Sequence, residues 1–179
     1  MSNRVAVYAG SFDLFTIGHL WVAEQGSKMF DTLVIAVGVN PAKANKTMFT
    51  VEERLAQIRA CTSHLPNVEV TSCGKMFLHD YVMSIDANWV LRGVRGPKDY
   101  EDEANTQDMV REALDKMKCT YDIQTAFIRP PHDVAVVSSS SVKALMGFDK
   151  WEEMVAFFVS PAIVNSVIAK FKEVLNANA

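Results

Sequence analysis

The sequence predicts an α/β fold: a doubly wound parallel sheet of five strands, covered by helices and followed by further C-terminal helices. Short apolar, β-branched runs alternate with helical patterns along most of the chain. These runs lack the strict apolar–polar alternation of half-exposed strands, which is typical of a sheet buried on both faces. The predicted strands are Val5–Tyr8, Leu33–Val39, Val68–Thr71, Trp89–Leu91 and Ile123–Ile128.

The predicted helices lie between and after these strands. A capping box, Thr50 with Glu53 three residues later, starts the second helix. Acidic residues at the start of the fourth helix suit the positive end of its dipole. Ser160 is expected as the N-cap of the last helix and Pro161 as its first residue. The predicted helices are Leu20–Met29, Thr50–Cys61, Leu78–Ile85, Asp99–Met117, Val142–Met146, Trp151–Phe158 and Pro161–Leu175.

Length, charge and composition limit the class of protein. The 179 residues predict one Rossmann-like domain spanning residues 1–179. The net charge of −3 argues against nucleic-acid binding, which usually requires a basic surface. No apolar run approaches the roughly 18 residues that span a bilayer, and no signal peptide precedes the first strand, so we expect a cytoplasmic protein without membrane contact. The three cysteines form no C-x-x-C pair and the histidines have no metal-ligand spacing, so reduced thiols and no protein-held metal are expected.

The strongest indication of function is the turn Gly10–His19, which joins the first strand to the first helix. In α/β folds such a glycine turn holds phosphates, because backbone N–H groups and the helix dipole point at the anion. The segment lacks the G-x-G-x-x-G pattern of dinucleotide-binding dehydrogenases. Gly18-His19 places an imidazole beside the bound anion. The alternative is an ordinary strand–turn–helix in which His19 has no chemical role.

Basic residues follow two other strands. Lys43 comes after the second strand, and Arg92 and Arg95 come after the fourth. Ligands of open α/β sheets lie outside the carboxyl ends of the strands, where all these residues are expected. A shared polyphosphate site is therefore predicted; the alternative is a set of solvated loop charges.

A run of serines, Ser138–Ser141, precedes the helical segment that contains Lys143. Hydroxyls and free N–H groups at a helix start form an anion cradle. The alternative, a flexible serine loop, is disfavoured by the apolar, β-branched residues Val134–Val137 before the run. The run is therefore predicted to complete the phosphate site.

Together these motifs resemble the nucleotidylyltransferase superfamily of the (H/T)xGH type, and within it the phosphopantetheine adenylyltransferase family. Threonine stands at the first position of the motif, as Thr16 does here. The similarity extends in one order over about residues 4 to 170. The matching segments are Gly10–His19, Pro41–Lys43, Met48–Arg54, Arg92–Arg95, Asp99–Glu103 and Val137–Lys143.

The resemblance implies a reaction of ATP with 4′-phosphopantetheine that gives 3′-dephospho-coenzyme A and pyrophosphate, with Mg²⁺ as cofactor, in a homohexamer. It implies catalytic roles for His19, Lys43 and Arg92. The implied acceptor contacts are Ser11, Lys43, Leu78 and Arg92. The implied ATP contacts are Ser11, Phe12, His19, Gly93, Val94, Arg95, Glu103, Val134, Ala135, Val136, Val137, Ser138, Ser139 and Ser140.

Two other functions fit parts of the pattern. The first is a related nucleotidylyltransferase with another phosphorylated acceptor, such as nicotinamide mononucleotide or a phosphorylated alcohol; Thr16 and the serine run argue against it. The second is a nucleotide-binding regulator without catalysis. Such a binder has no need of His19, Lys43 and Arg92 together, so their joint presence favours an enzyme.

Overall fold

The computed structural model describes residues 3–39, 41, 47–117 and 122–177. Its five strands are all parallel. They are β1 (Val5–Gly10), β2 (Thr32–Gly38), β3 (Val68–Gly74), β4 (Trp89–Gly93) and β5 (Gln124–Ile128). Their order across the sheet is β3-β2-β1-β4-β5, so the chain winds in one direction from β1 to β3 and in the other from β4 to β5. The doubly wound parallel sheet predicted from the sequence is confirmed.

The helices connect the strands and follow the last of them. Four lie before β5 and four after it in the described part of the chain. They are α1 (Ile17–Met29), α2 (Val51–Thr62), α3 (Leu78–Ser84), α4 (Pro97–Lys116), α5 (His132–Ala135), α6 (Ser139–Lys143), α7 (Trp151–Ala156) and α8 (Val164–Ala177). None of the helices among the described residues combines the length and the apolar character that crossing a lipid bilayer requires.

Each face of the sheet has its own apolar core. Successive residues of the strands point to opposite faces, so Ala6 and Tyr8 enter one core while Val7 enters the other. The larger core also receives residues from α2, α7 and α8, including the fully buried Phe171. The smaller core is closed by Tyr81 and Val82 of α3. Burial on both faces explains why the inner strands β1 and β2 are almost entirely apolar, whereas the edge strands β3 and β5 also carry polar residues.

Helix α1 lies directly against the sheet because two glycines leave room for the contact. A Cβ atom at Gly26 would lie 2.5 Å from Cδ2 of Leu91 on β4 and 3.0 Å from Cδ2 of Leu33 on β2. A Cβ atom at Gly93 would lie 2.6 Å from Cγ2 of Val22. Any larger residue would push the helix away from the sheet. This close contact fixes the start of α1 relative to the ends of β1 and β4.

Some element boundaries differ from the sequence predictions. A short helix that was not predicted, α5, covers His132–Ala135 and thus the first two residues of the apolar run Val134–Val137; Ala135 N donates to Pro131 O at 2.8 Å. The last helix begins at Val164 rather than Pro161, since Ile163 N bonds the Ser160 carbonyl at 2.9 Å and closes a tighter turn first. The expected N-cap role of Ser160 is therefore wrong. Helix α4 begins two residues early, with Pro97 in its first turn.

Candidate functional site

A cavity of about 530 Å³ opens at the carboxyl ends of β1 and β4, where the winding of the sheet reverses. Four stretches of chain line it: the glycine turn, the end of β4, the first half of α4, and residues 130–140. The predicted site residues that line it are Ser11, Phe12, His19, Arg92, Gly93, Arg95, Glu103, Val134, Ala135, Val137, Ser138, Ser139 and Ser140. Segments more than a hundred residues apart in the chain thus meet in one cavity.

The other predicted site residues lie elsewhere or outside the described part of the chain. The Val94 side chain is buried beneath the cavity wall, and Val136 is 61% exposed; neither lines the cavity. Leu78 begins α3 and packs against the smaller core. Lys43 lies outside the described residues. The roles assigned to these four residues stay predictions.

The cavity lining also includes residues that were not predicted individually as substrate contacts, although Gly10, Thr16 and Gly18 belong to the turn predicted to hold phosphate. They are Tyr8, Ala9, Gly10, Thr16, Gly18, Val22, Asp99, Asp102 and Pro130. Ala9 and Gly10 could have been predicted from their place at the carboxyl end of β1. The matched segment Asp99–Glu103 carries Asp99 and Asp102, so their presence beside Glu103 follows from one helical turn. No local signal marks Pro130.

Contacts within the glycine turn determine which ring nitrogen of the neutral His19 carries the proton. The backbone N–H of Thr16 donates to Nδ1 of His19 at 3.0 Å, and the Thr16 hydroxyl oxygen lies 3.1 Å from the same nitrogen. Because a backbone amide can only donate, Nδ1 is the acceptor, and the neutral ring carries its proton on Nε2. The rings of Phe12 and Phe15 lie 5.2 Å and 5.5 Å from the imidazole and hold its orientation. His19 therefore presents one oriented N–H donor.

Burial and a neighbouring cation keep His19 neutral. Burial, together with the smaller effect of the positive charge of Arg95, lowers the pKa of His19 from 6.5 to about 4. Both effects penalise the imidazolium form. At neutral pH the ring is thus a hydrogen-bond donor without a net charge.

We expect a nuclear magnetic resonance titration of the folded protein to place the His19 transition near its pKa of about 4, against 6.5 in the urea-unfolded chain. The unfolded chain therefore takes up the proton first. The contribution of neutral His19 to the free energy of unfolding should be complete above pH 6.5 and should be lost as the pH falls towards 4. A folded-state transition near 6.5 would contradict the burial of the ring.

Two arginines at the end of β4 face carboxylates of α4. Arg92 donates from Nη1 to the Ala9 carbonyl at 3.0 Å, while its Nε lies 3.0 Å from Oε2 of Glu103. That Nε is buried and makes no hydrogen bond, so the contact with Glu103 is electrostatic and poorly aligned. Arg95 donates two hydrogen bonds to the Asp99 carboxylate, from Nε at 2.7 Å and from Nη2 at 3.1 Å. These bonds raise the pKa of Arg95 and lower the pKa of Asp99. The Arg92 guanidinium is thus the better placed to accept a new anion.

The serine run is partly used by the fold. Ser138 is the N-cap of α6: its hydroxyl accepts from Ser141 N at 3.1 Å, and the Ser141 hydroxyl accepts from Ser138 N at 3.0 Å. The Ser139 hydroxyl donates to the Leu14 carbonyl of the glycine turn at 2.7 Å. Ser140 makes no side-chain hydrogen bond to the described residues, and it lines the cavity. The run therefore joins the glycine turn on one side and offers a hydroxyl to a ligand on the other.

A second cavity of about 530 Å³ adjoins the first. The two share Ser11, Ser139 and Ser140. Gly38, Val39 and Thr47, which flank the segment containing Lys43, line the second cavity. The serines thus lie between two adjoining spaces of comparable size. Across residues 3–39, 41, 47–117 and 122–177, no three His, Cys, Asp or Glu side chains are grouped as metal ligands would be.

Comparisons with known proteins show the family to which the chain belongs. The sequence family described as cytidylyltransferase-like matches residues 7–145. The chain is 37% identical to the phosphopantetheine adenylyltransferase of Neisseria meningitidis, over 93% of this chain and 94% of that protein. It is 38% identical to the protein of the same name from Chromobacterium violaceum, over 94% and 98% of the two chains. A Plasmodium falciparum nicotinic acid mononucleotide adenylyltransferase has a similar fold, with a TM-score of 0.58 and 10% identity over 94% of this chain and 96% of that one.

Proposed function

Since this chain belongs to the phosphopantetheine adenylyltransferase family of cytidylyltransferase-like proteins, we propose that it transfers the adenylyl group of ATP to 4′-phosphopantetheine. The products are 3′-dephospho-coenzyme A, a precursor of coenzyme A, and pyrophosphate. The observation that carries the proposal is the cavity in which the neutral His19, Arg92 and the serine run meet at the ends of β1 and β4. Its donors are arranged for a phosphate chain.

The chemistry is a direct displacement at phosphorus. An oxygen of the acceptor phosphate attacks the α-phosphorus of ATP and forms the new P–O bond. The bond from the α-phosphorus to the oxygen that bridges the α- and β-phosphates breaks, and that oxygen leaves as part of pyrophosphate. The attacking oxygen is already anionic, so no protein nucleophile or base is required. Catalysis then consists of positioning and charge stabilisation. Nε2–H of His19 supplies one preorganised donor to the transferring group, and Arg92 and Lys43 hold the acceptor phosphate.

Mg²⁺ is proposed to enter with the nucleotide. The described residues offer no cluster of metal ligands, but phosphate oxygens and water are the ligands that Mg²⁺ prefers. When bound, the ion neutralises charge on the departing pyrophosphate. In the predicted role of Ser138, Ser139 and Ser140, the outer phosphates would be held by the Ser140 hydroxyl and the backbone N–H groups at the start of α6, because the hydroxyls of Ser138 and Ser139 are already bonded within the protein. None of these groups supplies a metal ligand.

Replacing Ser139 and Ser140 together by alanine is expected to raise the KM for ATP by about tenfold, with a much smaller change for the acceptor. The backbone N–H groups of the segment remain and should preserve part of the binding. Proline at Ser140 should be worse, because it also removes an N–H group. Steady-state kinetics with each substrate varied in turn measures the difference. A double variant that binds ATP normally and fails to bind phosphopantetheine would assign the segment to the acceptor.

The chain is proposed to act as a homohexamer in the cytoplasm. Large apolar side chains remain on its surface near the C-terminal helices: Phe148 is 69% exposed and Phe157 is 71% exposed. Contacts between copies would remove such surface from water. Light scattering at micromolar concentration is expected to report six copies, and a stable monomer would contradict the proposal.

The deciding experiment measures pyrophosphate release from ATP across a panel of acceptors. Phosphopantetheine should give rapid release, and nicotinamide mononucleotide or a simple phosphorylated alcohol should give little. Faster turnover of another acceptor would assign the chain a different substrate. Tight ATP binding without turnover of any acceptor would instead favour a regulator.

A further inference from the structure

The Asp13 carboxylate lies behind the phosphate cavity and is not explained by substrate binding. The residue is only 5% exposed and lines the second cavity rather than the first. Its oxygens accept from Phe49 N at 2.9 Å, from Met48 N at 3.1 Å and from Nζ of Lys143 at 2.7 Å. One carboxylate of the glycine turn thus joins the segment before α2 to the end of α6.

Other residues of the same turn are held in the same way. The guanidinium of Arg54, a residue 2% exposed, donates from Nη1 to the Ser11 carbonyl at 2.7 Å. The Ser139 hydroxyl donates to the Leu14 carbonyl at 2.7 Å. Between these contacts Phe12 adopts a left-handed backbone with φ of 47°, which an aromatic residue rarely does. The conformation that places Phe12 against His19 is therefore maintained by contacts on both sides.

We propose that Asp13 is a positioning residue for adenylyl transfer. Through Lys143 and the Met48 and Phe49 amides it sets the separation between the glycine turn and the serine run. That separation decides whether His19 and Ser140 can reach the same phosphate chain. The inference rests on the proposed function and assigns the Asp13–Lys143 pair a geometric part in it.

The charges of this cluster are consistent with positioning rather than with substrate contact. Nζ of Lys143 lies 2.7 Å from Oδ2 of Asp13, and the lysine side chain is 24% exposed. The ammonium group is therefore already paired with a carboxylate. Asp13, Arg54 and Lys143 together carry one net positive charge, which does not repel a polyphosphate. A buried ion pair is seldom more stable than apolar packing of the same volume, so stability alone gives little account of it.

The test compares two lysines in similar ion pairs. Lys170 binds Glu53 at 2.9 Å with its side chain 23% exposed, away from both cavities. Lys143→Met is expected to lower kcat about tenfold, while the Kd for ATP, measured by calorimetry, changes less than about threefold. Lys143→Arg should restore kcat to within about threefold of the parent. Lys170→Met, which also loses an ion pair, should leave kcat unchanged.

An unaltered kcat in Lys143→Met, or an equal fall in Lys170→Met, would overturn the proposal. A weaker affinity for ATP or a higher KM for the acceptor, with kcat retained, would also overturn it, because Lys143, which lines the second cavity, would then be a direct ligand. If Lys143→Met does not fold, Asp13→Glu serves instead: it retains the charge, lengthens the side chain and should lower kcat with ATP affinity kept.

Hydrogen exchange separates this inference from the proposed function. In Lys143→Met the amides of Met48 and Phe49 should exchange faster than in the parent, and in Lys170→Met they should not. This measurement requires no acceptor. A parent protein that does not turn over phosphopantetheine would contradict the proposed function, whereas unchanged exchange at Met48 and Phe49 would contradict the role of Asp13.

Discussion

Replacing His19 by alanine is expected to lower kcat by about 10²- to 10³-fold without unfolding the protein. The neutral ring presents a single N–H donor, because Nδ1 is committed to the backbone of Thr16 and the pKa of His19 is lowered to about 4. Alanine removes that donor from the place where charge develops on the transferring group. The KM for ATP should change less than kcat, since the arginine and serine contacts remain.

Two variants sharpen this prediction. His19→Gln retains a side-chain N–H group and should keep more activity than His19→Ala. His64→Ala is the matched control, because His64 is a surface residue whose Nε2 lies 3.4 Å from Glu24, far from the cavity lining. Its kcat should equal that of the parent. A folded His19→Ala protein with near-normal kcat would remove His19 from the mechanism.

Replacing Arg92 by alanine is expected to weaken use of the acceptor by at least about tenfold, with a smaller effect on ATP affinity. The bond from Nη1 to the Ala9 carbonyl fixes the guanidinium at the end of β4, and its buried Nε lacks a hydrogen bond. Because Arg92 lines the first cavity, a phosphate bound there can contact the guanidinium. Lys43→Ala should show the same split between acceptor and nucleotide, by its match to the family motif.

Calorimetry with each substrate alone distinguishes the two sites. Arg92→Lys keeps the charge and loses the planar donor geometry, so it should recover only part of acceptor binding. Arg59→Ala is the control: its guanidinium is exposed and donates to the Val70 carbonyl at 3.0 Å. A collapse of ATP affinity in Arg92→Ala with phosphopantetheine binding intact would reverse the assignment.

The features of the fold and the site that depend on residues close together in the chain could be predicted from the sequence. The turn Gly10–His19 could be placed between a strand and a helix because its apolar and glycine signals lie within ten residues. The Thr16–His19 contact spans three residues, a spacing typical of helix caps, although its consequence for the tautomer needed coordinates. Val134–Val137 has β-branched composition, yet a turn begun by Pro131 makes its first two residues helical.

Contacts between distant segments could not be predicted in this way. The Asp13–Lys143 pair joins residues 130 positions apart, and nothing in either neighbourhood indicates the other. The same holds for Arg54 and Ser11, which lie 43 positions apart. Such pairs depend on how α2 and α6 pack against the sheet. The sequence therefore indicated which residues line the first cavity better than which residues hold them in place.

The strand order has a consequence for protein synthesis. The first strand to emerge from the ribosome, β1, is the central one, and its β4 partner begins only at Trp89. Until then one side of β1 presents unpaired backbone groups. The contacts of the glycine turn to Ser139 and Lys143 form still later, because they span 125 and 130 residues. A nascent chain that stalls before these residues can pair part of its sheet, but it cannot yet complete the first cavity.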